Sequence, residues 1–264
     1  MKHSLSWSKK AIILLFWLIV WQLAAGLIHN RILLVGPQDT LRAFVDQLQT
    51  LPFWKSVWFS VSRICLGLCL AFCAGLLTGI LSFWKKWVGE FLELPVQIMK
   101  SVPIASFVIL ALIWTGSENL SVFISCLVAY PVIHVNTAAG LLAADGQLLE
   151  MAQIFEVPIW RRAGFIYRTA LYPYLESALK TAVGMGFKSG IAAEVIGVPD
   201  GSIGAGLYLS KIYLDTASLF SWTLVILAVS VLFEKVILFV LKKAAGRGVV
   251  GYERENKPVY PKSK

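Results

Sequence analysis

Uncharged stretches of about the length of a membrane span alternate with short polar stretches along this chain of 264 residues. A helix needs about 20 predominantly apolar residues to cross the hydrocarbon core of a bilayer. We predict six such helices, at residues 11–28, 57–83, 91–114, 120–144, 174–197 and 220–241. The predicted fold class is therefore all-α: a polytopic membrane protein with about six transmembrane helices and a transmembrane domain over residues 11–241.

The first hydrophobic run has two interpretations. It follows Lys2, Lys9 and Lys10 and contains 18 uncharged residues. A cleaved signal peptide would have a shorter apolar region, of about 7–15 residues, followed by a small-residue cleavage site. The length of the run favours a retained span, preceded by a short N-terminal segment at residues 1–10.

The third stretch is the least regular of the six. It contains Pro95, Lys100 and Pro103, and only the part after Ser101 is uniformly apolar. Since proline interrupts the hydrogen bonds of a helix, we predict a single kinked helix here. The main polar connections are predicted as a short amphipathic helix near residues 40–48, a tight loop at 115–119 and a Gly-rich loop at 198–219.

Composition indicates that lipid is the solvent for much of the surface. The chain is 58% hydrophobic and 15% charged, whereas soluble domains carry about 25% charged residues. A net charge of +9 also occurs in proteins that bind nucleic acid. Here the basic residues cluster at the ends of the hydrophobic stretches, so membrane topology explains them better and no nucleic-acid partner is predicted.

The distribution of Lys and Arg predicts the orientation in the membrane. Cytoplasmic loops of membrane proteins carry an excess of these residues. Residues 1–10, 84–92, 145–172 and 242–264 together hold 15 Lys and Arg, and the loops on the opposite side hold four. We therefore place both termini, the loop at 145–173 and the basic tail 242–264 in the cytoplasm.

The sequence lacks the motifs of common catalytic sites. It has no Walker A motif, no G-x-S-x-G and no H-E-x-x-H. Its four cysteines lie in apolar stretches, without zinc-ligand spacing or a disulfide framework. We predict no catalytic residue and no metal site, so any energy that the chain uses would come from a partner or an ion gradient.

Small residues recur at helical spacing in two of the predicted spans. The members are Gly67, Ala71, Gly75 and Gly79 in one stripe of the second span, Cys65, Cys69 and Cys73 in another, and Gly186 with Gly190 in the fifth span. Small residues at this spacing let transmembrane helices approach closely. No His or acidic residue accompanies the thiols, so we interpret both stripes as helix-packing surfaces. The G-x-x-x-G pair would likewise support close packing, including packing between two copies of the chain.

The loop at residues 145–173 combines apolar and charged residues. Apolar residues at helical spacing predict a first short helix through Leu148, Leu149, Ala152 and Phe155. Pro158 then interrupts, and because proline favours the first turn of a helix, a second short helix is predicted at residues 159–168. The apolar patch beside a Trp-Arg-Arg sequence fits two interpretations equally: a docking surface for another protein, or an amphipathic segment on lipid headgroups.

The same loop carries a degenerate family signature, E-A-A, three residues, G, nine residues, I-x-L-P. Residues 150–152 stand for E-A-A, Glu156 stands at the Gly and Ile166 at the Ile, while residues 168–169 replace Leu-Pro. Further matching stretches follow the family's order, at residues 60–64, 103, 131, 136–140 and 192–197. With these residues, positions 40–243 resemble ABC importer permeases of the nitrate/sulfonate/taurine group, within the binding-protein-dependent permease superfamily.

This resemblance implies an ABC importer type I permease fold whose 145–173 loop is a cytoplasmic coupling helix seated in a groove of a separate ATPase. The residues that it assigns to ATPase coupling are Glu150, Ala152, Phe155, Glu156, Val157, Ile159, Trp160, Arg161 and Ile166. Two cytoplasmic ATPase subunits, an extracytoplasmic solute-binding protein and a second permease copy or homologue are implied, in the inner (cytoplasmic) membrane. ATP and Mg would be bound by the ATPase, with no cofactor in this chain.

Two further expectations accompany the resemblance. The group imports nitrate, sulfonates, taurine, bicarbonate and thiamine-precursor pyrimidines, so a small and mostly anionic solute is expected. Family members have Gly at the position of Glu156, and Gly tolerates positive φ where Glu is strained. We expect Glu156 to adopt an ordinary φ, in a turn aided by Pro158.

Charges within the spans are candidates for function because they are costly in hydrocarbon. Arg63 and Lys100 are near enough to span ends to reach the membrane interface. Lys188 lies deepest, and its six-residue distance from Glu194 means that the two are not neighbours on one helix face. Lys188, Glu194 and Asn136 are the candidates for a translocation path, and a lysine there would suit an anion.

Two other functional classes remain as alternatives. A polytopic membrane enzyme would need a convergent acid, base and nucleophile, and the sequence has no such set. An ion-coupled secondary transporter would commonly show an internal repeat, and none is evident here. Co-purification with an ATPase would separate the permease from both.

Overall fold

The computed structural model describes residues 7–28, 30 and 32–255, and within them it contains helices and no strand. Ten α-helices and one π-helical segment, Ala163–Tyr167, make up the described fold. The α-helices are α1 Trp7–Ile28, α2 Pro37–Leu48, α3 Leu51–Trp84, α4 Lys86–Ser101, α5 Ile104–Leu142, α6 Gly146–Ile154, α7 Ile159–Arg162, α8 Arg168–Gly197, α9 Ile203–Ile212 and α10 Thr216–Glu255. The ends of the predicted N-terminal segment and basic tail, residues 1–6 and 256–264, lie outside the described residues.

Four helices of the described chain are long and apolar enough to cross a membrane. They include residues 11–28, all of α3, all of α5 and residues 216–241 of α10. Helix α8 is 30 residues long, but it carries more polar side chains than these four helices. The first, second and sixth predicted spans lie within α1, α3 and α10, and the fifth lies within α8.

The third predicted span, at 91–114, is two helices in the structure, so the prediction of one kinked helix is wrong. Helix α4 ends at Ser101, and Pro103 is the N-cap of α5. Proline has no N–H to continue the helical hydrogen bonds, and it favours extended backbone at the preceding residue. Val102 accordingly has ψ 129°. The 16-residue α4 is amphipathic and shorter than a span.

The tight loop predicted at residues 115–119 is a kink within one long helix. Only Gly116 leaves helical geometry, with φ 69° and ψ 170°, and helix α5 continues through Leu142. Glycine adopts positive φ without a steric penalty, so one residue suffices to redirect the chain. The predicted fourth span therefore corresponds to the second part of α5.

Helices α3, α5 and α8 pack tightly through small residues. Gly67 on α3 lies against the backbone carbonyl of Val122 on α5, and a β-carbon at Gly79 would lie 2.6 Å from Cβ of Thr137. Ser125 on α5 donates a hydrogen bond to the Gly186 carbonyl on α8 at 3.0 Å. Backbones that approach this closely gain van der Waals contact. This contact stabilises helix association in a membrane, where the hydrophobic effect does not drive helices together.

The cysteine stripe does not share in this packing. Cys69 and Cys73 are exposed and Cys65 is only half-buried. Cys69 and Cys73 line an apolar groove that is also bordered by side chains of α5, α8 and α10. The interpretation of this stripe as a helix-packing surface is therefore wrong for the two exposed thiols within a single chain.

Helices α1 and α2 lie at the edge of the bundle. None of the window at residues 11–28 is buried, and its large apolar side chains suit a lipid environment. The Trp21 indole N–H donates to the Val35 carbonyl at 2.9 Å, which ties α1 to the segment before α2. Helix α2 is held in turn by the Ser221 hydroxyl of α10, which donates to Gln47 at 2.7 Å.

Candidate functional site

The loop at 145–173 begins with a well-capped helix. The Asp145 carboxylate accepts a hydrogen bond from the Gln147 backbone N–H at 2.9 Å, which satisfies one of the free N–H groups at the start of α6. Ala152 on this helix is buried, while Glu150 on another face is exposed. Helix α6 therefore buries one side, where Ala152 lies near Val157 and Ile166, and presents the other.

Helix α6 ends in a Schellman motif centred on Glu156. The Glu156 N–H donates to the Gln153 carbonyl at 3.1 Å, and the Val157 N–H donates to the Ala152 carbonyl at 2.9 Å. Glu156 itself has φ 51°, the left-handed conformation that this motif requires and that glycine adopts most readily. Our expectation of an ordinary φ at Glu156 is wrong, and the geometry explains why family members have Gly there.

The second predicted short helix, at 159–168, is not a separate helix. Pro158 caps α7, and the chain continues through the π-helical segment Ala163–Tyr167 into α8 with Arg162, Tyr167 and Arg168 all in the right-handed helical region. The Arg162 Nε–H donates to the Val157 carbonyl at 2.7 Å. The turn is thereby fixed to the start of one continuous helical rod.

An apolar patch covers the outer side of this turn. Its most exposed members are Ile154 (78%), Phe155 (73%), Ile159 (58%), Trp160 (75%) and Phe165 (78%). Arg161 beside them is exposed, whereas Val157 and Ile166 are half-buried. So large an apolar surface next to a cation requires a cover of protein or lipid.

Helix α8 presents a polar stripe in the middle of its length. Its exposed polar side chains are Ser177, Lys180, Thr181 and Lys188, and the small residues Gly184 and Ala192 and the large apolar Met185 are exposed or half-exposed along the same stretch. The exposed positions of α1, in contrast, are almost all large and apolar. A polar stripe at membrane depth fits a water-containing path or a second protein surface better than lipid.

The three path candidates occupy different environments. Lys188 is exposed on the polar stripe. Asn136 is half-buried, and its Nδ2–H donates to the Val132 carbonyl of its own helix at 2.8 Å. Glu194 is fully buried, so in this structure its side chain borders no open path.

Glu194 instead joins several helices. Its Oε2 accepts hydrogen bonds from the Ser60 hydroxyl of α3 at 2.6 Å and from the Gly204 N–H of α9 at 3.2 Å. Sequence reasoning did not identify Ser60 as a partner, because the two residues are 134 positions apart. The only feature of the sequence that linked the two residues was that both belong to stretches that carry the family resemblance.

A second polar contact lies one turn from Ser60. The Arg63 guanidinium donates to Asn119 Oδ1 and, at 3.1 Å, to Glu118 Oε2, which follow the kink in α5. It also lies 5.1 Å from the centre of the Phe59 ring. Arg63 thus forms hydrogen bonds with a neighbouring helix. Its position in the sequence had indicated only that its side chain could reach the membrane interface.

Comparison with known proteins adds a family. The family described as "Binding-protein-dependent transport system inner membrane component" matches residues 71–250. An aliphatic sulfonates transport permease protein, SsuC, of Bacillus subtilis is 21% identical over 239 residues, covering 90% of this chain and 86% of the relative. SsuC of Escherichia coli is 27% identical over 188 residues, 69% of this chain and 70% of the relative. A bicarbonate transport system permease protein, CmpB, of Synechococcus elongatus is 23% identical over 213 residues, 76% and 75% of the two chains.

Proposed function

Because the chain belongs to the binding-protein-dependent transport system inner membrane component family, it is a permease subunit of an ABC importer, and we propose that its segment from α6 to α7 is the coupling helix. ATP is hydrolysed by a separate subunit in this family, and the permease works with an ABC ATPase and a solute-binding protein. The chain is a multi-pass membrane protein. The coupling helix is the segment through which the ATPase would act on the permease.

The observation that carries the proposal is the exposed apolar patch at the start of a continuous helical run, which includes the π-helical segment and Pro173. Trp160 and Ile159 are exposed on α7, and no break in the helical backbone separates α7 from α8. Aromatic residues and arginine are favoured at the centres of protein interfaces. An ATPase that grips this patch would therefore move α8 directly, without losing displacement in a flexible linker.

The coupling residues divide by exposure into two roles. Phe155, Ile159, Trp160 and Arg161 would contact the ATPase, since their side chains are exposed. Ala152 is buried, and Val157 and Ile166 are half-buried, so they would hold α6 against the turn and the start of the following helix. Glu156 would set the angle between α6 and α7 through its left-handed backbone.

We propose that both termini and this turn are cytoplasmic and that two permease subunits complete the pore. The charge distribution supports the orientation, with 15 Lys and Arg on the proposed cytoplasmic side. The polar stripe of α8 would face the second subunit and the path between the two. Two ATPase subunits would then bind the two coupling helices.

For the solute we propose a small anion. The relatives are named for sulfonates and bicarbonate, and Lys188 supplies a positive charge on the polar stripe. Desolvation strengthens the attraction of such a charge for an anion. The identity of the anion would be set mainly by the solute-binding protein.

Capture of the ATPase by permease variants tests the proposal. Trp160→Ala and Ile159→Asp should lower ATPase capture at least tenfold and abolish ATP-driven uptake, because truncating a buried interface anchor costs about 2 kcal/mol or more. Trp87→Ala is the matched control, since Trp87 is also largely exposed and is predicted to lie on the same side of the membrane. Full capture and transport by both α7 variants would leave the patch as a membrane-surface segment.

A further inference from the structure

The buried carboxylate of Glu194 belongs to a closed ring of hydrogen bonds between three helices. The Ser60 hydroxyl of α3 donates to Glu194 Oε2 of α8, and the same hydroxyl accepts from the Ile203 N–H of α9 at 2.9 Å. Gly204, the next residue of α9, donates its N–H to the same carboxylate oxygen. Each helix therefore contacts the other two through a polar group that water does not reach.

This ring satisfies the start of α9. A helix begins with N–H groups that have no partner within the helix. The Ser202 cap accepts from the Ala205 N–H at 2.9 Å through its side chain and from the Gly206 N–H at 3.1 Å through its carbonyl. The first two N–H groups, of Ile203 and Gly204, are satisfied from α3 and α8 alone.

The contact between α8 and α9 has no room for adjustment. A β-carbon on Gly204 would overlap Glu194, and Ser60, Glu194, Ser202 and Ile203 are all at most 1% exposed. Val198, which links the two helices, has φ 45°, a strained value for a β-branched residue that persists only where the surroundings enforce it. The turn after α8 is thus held in one conformation by its contacts.

The helical rod that contains Glu194 begins at the apolar patch. Helical backbone runs from Ile159 to Gly197, roughly 58 Å at about 1.5 Å per residue. A displacement applied at Trp160 would reach Glu194 through continuous helical backbone, in which the π-helical segment and Pro173 are the points where the helix can bend. At that end, the ring gives α9 a rigid attachment to α8 and, through Ser60, to α3.

We propose that Glu194 is a positioning residue that makes α9 move with α8 and α3, an inference that rests on the proposed function. Helix α9 would be the element on the far side of the membrane that responds when the ATPase moves the coupling helix. Its response depends on a correctly placed acceptor oxygen at residue 194. Transmission of the movement would not require a charge at that residue.

The variants therefore separate loss of the acceptor oxygen at residue 194 from loss of the ionisable group. In Glu194→Gln, the amide oxygen can accept from Ser60 and Gly204, and the amide N–H₂ can donate to the buried hydroxyl of Ser121, which lies beside the Glu194 carboxyl group. In Glu194→Ala the acceptor is lost, and in Ser60→Ala the Ile203 N–H loses its partner. Ser189→Ala is the matched control, because Ser189 is also buried but bonds only the Met185 carbonyl of its own helix.

The first experiment measures the attachment itself, without the ATPase. Amide hydrogen exchange of the purified permease in lipid nanodiscs should be about tenfold faster at residues 203–204 in Glu194→Ala and Ser60→Ala than in the wild type. Glu194→Gln and Ser189→Ala should exchange as the wild type does. Unchanged exchange in Glu194→Ala would show that other contacts hold α9, and the inference would be wrong.

The second experiment measures the movement in the complex with the ATPase. Spin labels at Leu41→Cys on α2 and Tyr213→Cys after α9, both exposed sites, report the separation of the two elements with and without ATP and vanadate. The nucleotide-dependent change should occur in the wild type and Glu194→Gln and be lost in Glu194→Ala. No change in the wild type, an equal change in Glu194→Ala, or loss in Glu194→Gln would each overturn the inference. Failure of the ATPase to bind the wild type would instead contradict the proposed function.

Discussion

Gly67 on α3 lies directly against the backbone carbonyl of Val122 on α5, with no space for a β-carbon between them. The same face of α3 contacts α5 through Gly75 and Gly79, and α8 contacts both helices through Gly186 and Gly190. The bundle centre is therefore set by how closely three backbones approach. The polar ring around Glu194 lies at one end of this bundle and the coupling segment at the other.

Gly67→Ala is expected to destabilise the permease by about 1–3 kcal/mol, because the added methyl group overlaps backbone, which cannot rotate away. The measurement is the thermal transition of the purified protein in detergent. Gly184→Ala is the control, since a β-carbon there meets nothing within 4 Å. An equal transition for the two variants would show that α3 and α5 can separate without cost.

Glu156→Gly is expected to stabilise the turn between α6 and α7 by about 1 kcal/mol, because left-handed backbone costs an ordinary residue roughly that much more than glycine. ATPase capture should be retained. Glu150→Gly is the matched control, because it makes the same substitution inside α6, where glycine destabilises by about 1 kcal/mol. Destabilisation by both variants would contradict the left-handed conformation of Glu156.

Replacing Cys65, Cys69 and Cys73 together with Ala is expected to change stability by less than about 1 kcal/mol, because two of the side chains are exposed and leave no cavity. Transport should also continue. Thermal unfolding and uptake are measured beside metal analysis of the wild-type protein. Loss of transport together with loss of a stoichiometric metal would make the stripe a metal site.

Lys188→Gln is expected to lower uptake of an anionic solute about tenfold, because removal of the positive charge lowers the local anion concentration. ATPase capture should be unchanged. Lys180→Gln is the control, since Lys180 is an exposed lysine on the same helix whose charge is paired with Glu176 at 2.8 Å. Uptake can be followed with sulfonates and bicarbonate in proteoliposomes. Equal uptake by the two variants would remove Lys188 from the path.

The orientation is tested by labelling single cysteines in intact cells, in a background without the native thiols. Asp200→Cys should react with a membrane-impermeant maleimide from outside, because the positive-inside rule places the α8–α9 turn there. Lys86→Cys should react only after permeabilisation. Both side chains are exposed, so a reversed pattern would invert the topology and place the coupling segment outside.

The sequence alone determined the class of solvent and the kind of secondary structure. Lipid requires every backbone polar group to be satisfied within the chain, so long apolar stretches become helices whatever their neighbours are. This is why α1, α3 and α10 could be located from hydropathy, and why the all-α membrane class was predicted correctly. The residues of the coupling turn were proposed from local spacing and from resemblance, and their role stays a prediction.

Tertiary structure decided what local pattern does not encode. Whether Pro103 kinks a helix or ends it, and whether Gly116 starts a loop or only bends α5, depends on contacts with other helices. The left-handed Glu156 is imposed by the hydrogen bonds of the turn, against the preference of a glutamate. Glu194 appeared to be a charge for a path, since the sequence does not place it beside Ser60 and the start of α9. Only the folded chain brings those groups together, because the energetic cost of burying a carboxylate is offset by partners that are distant in sequence.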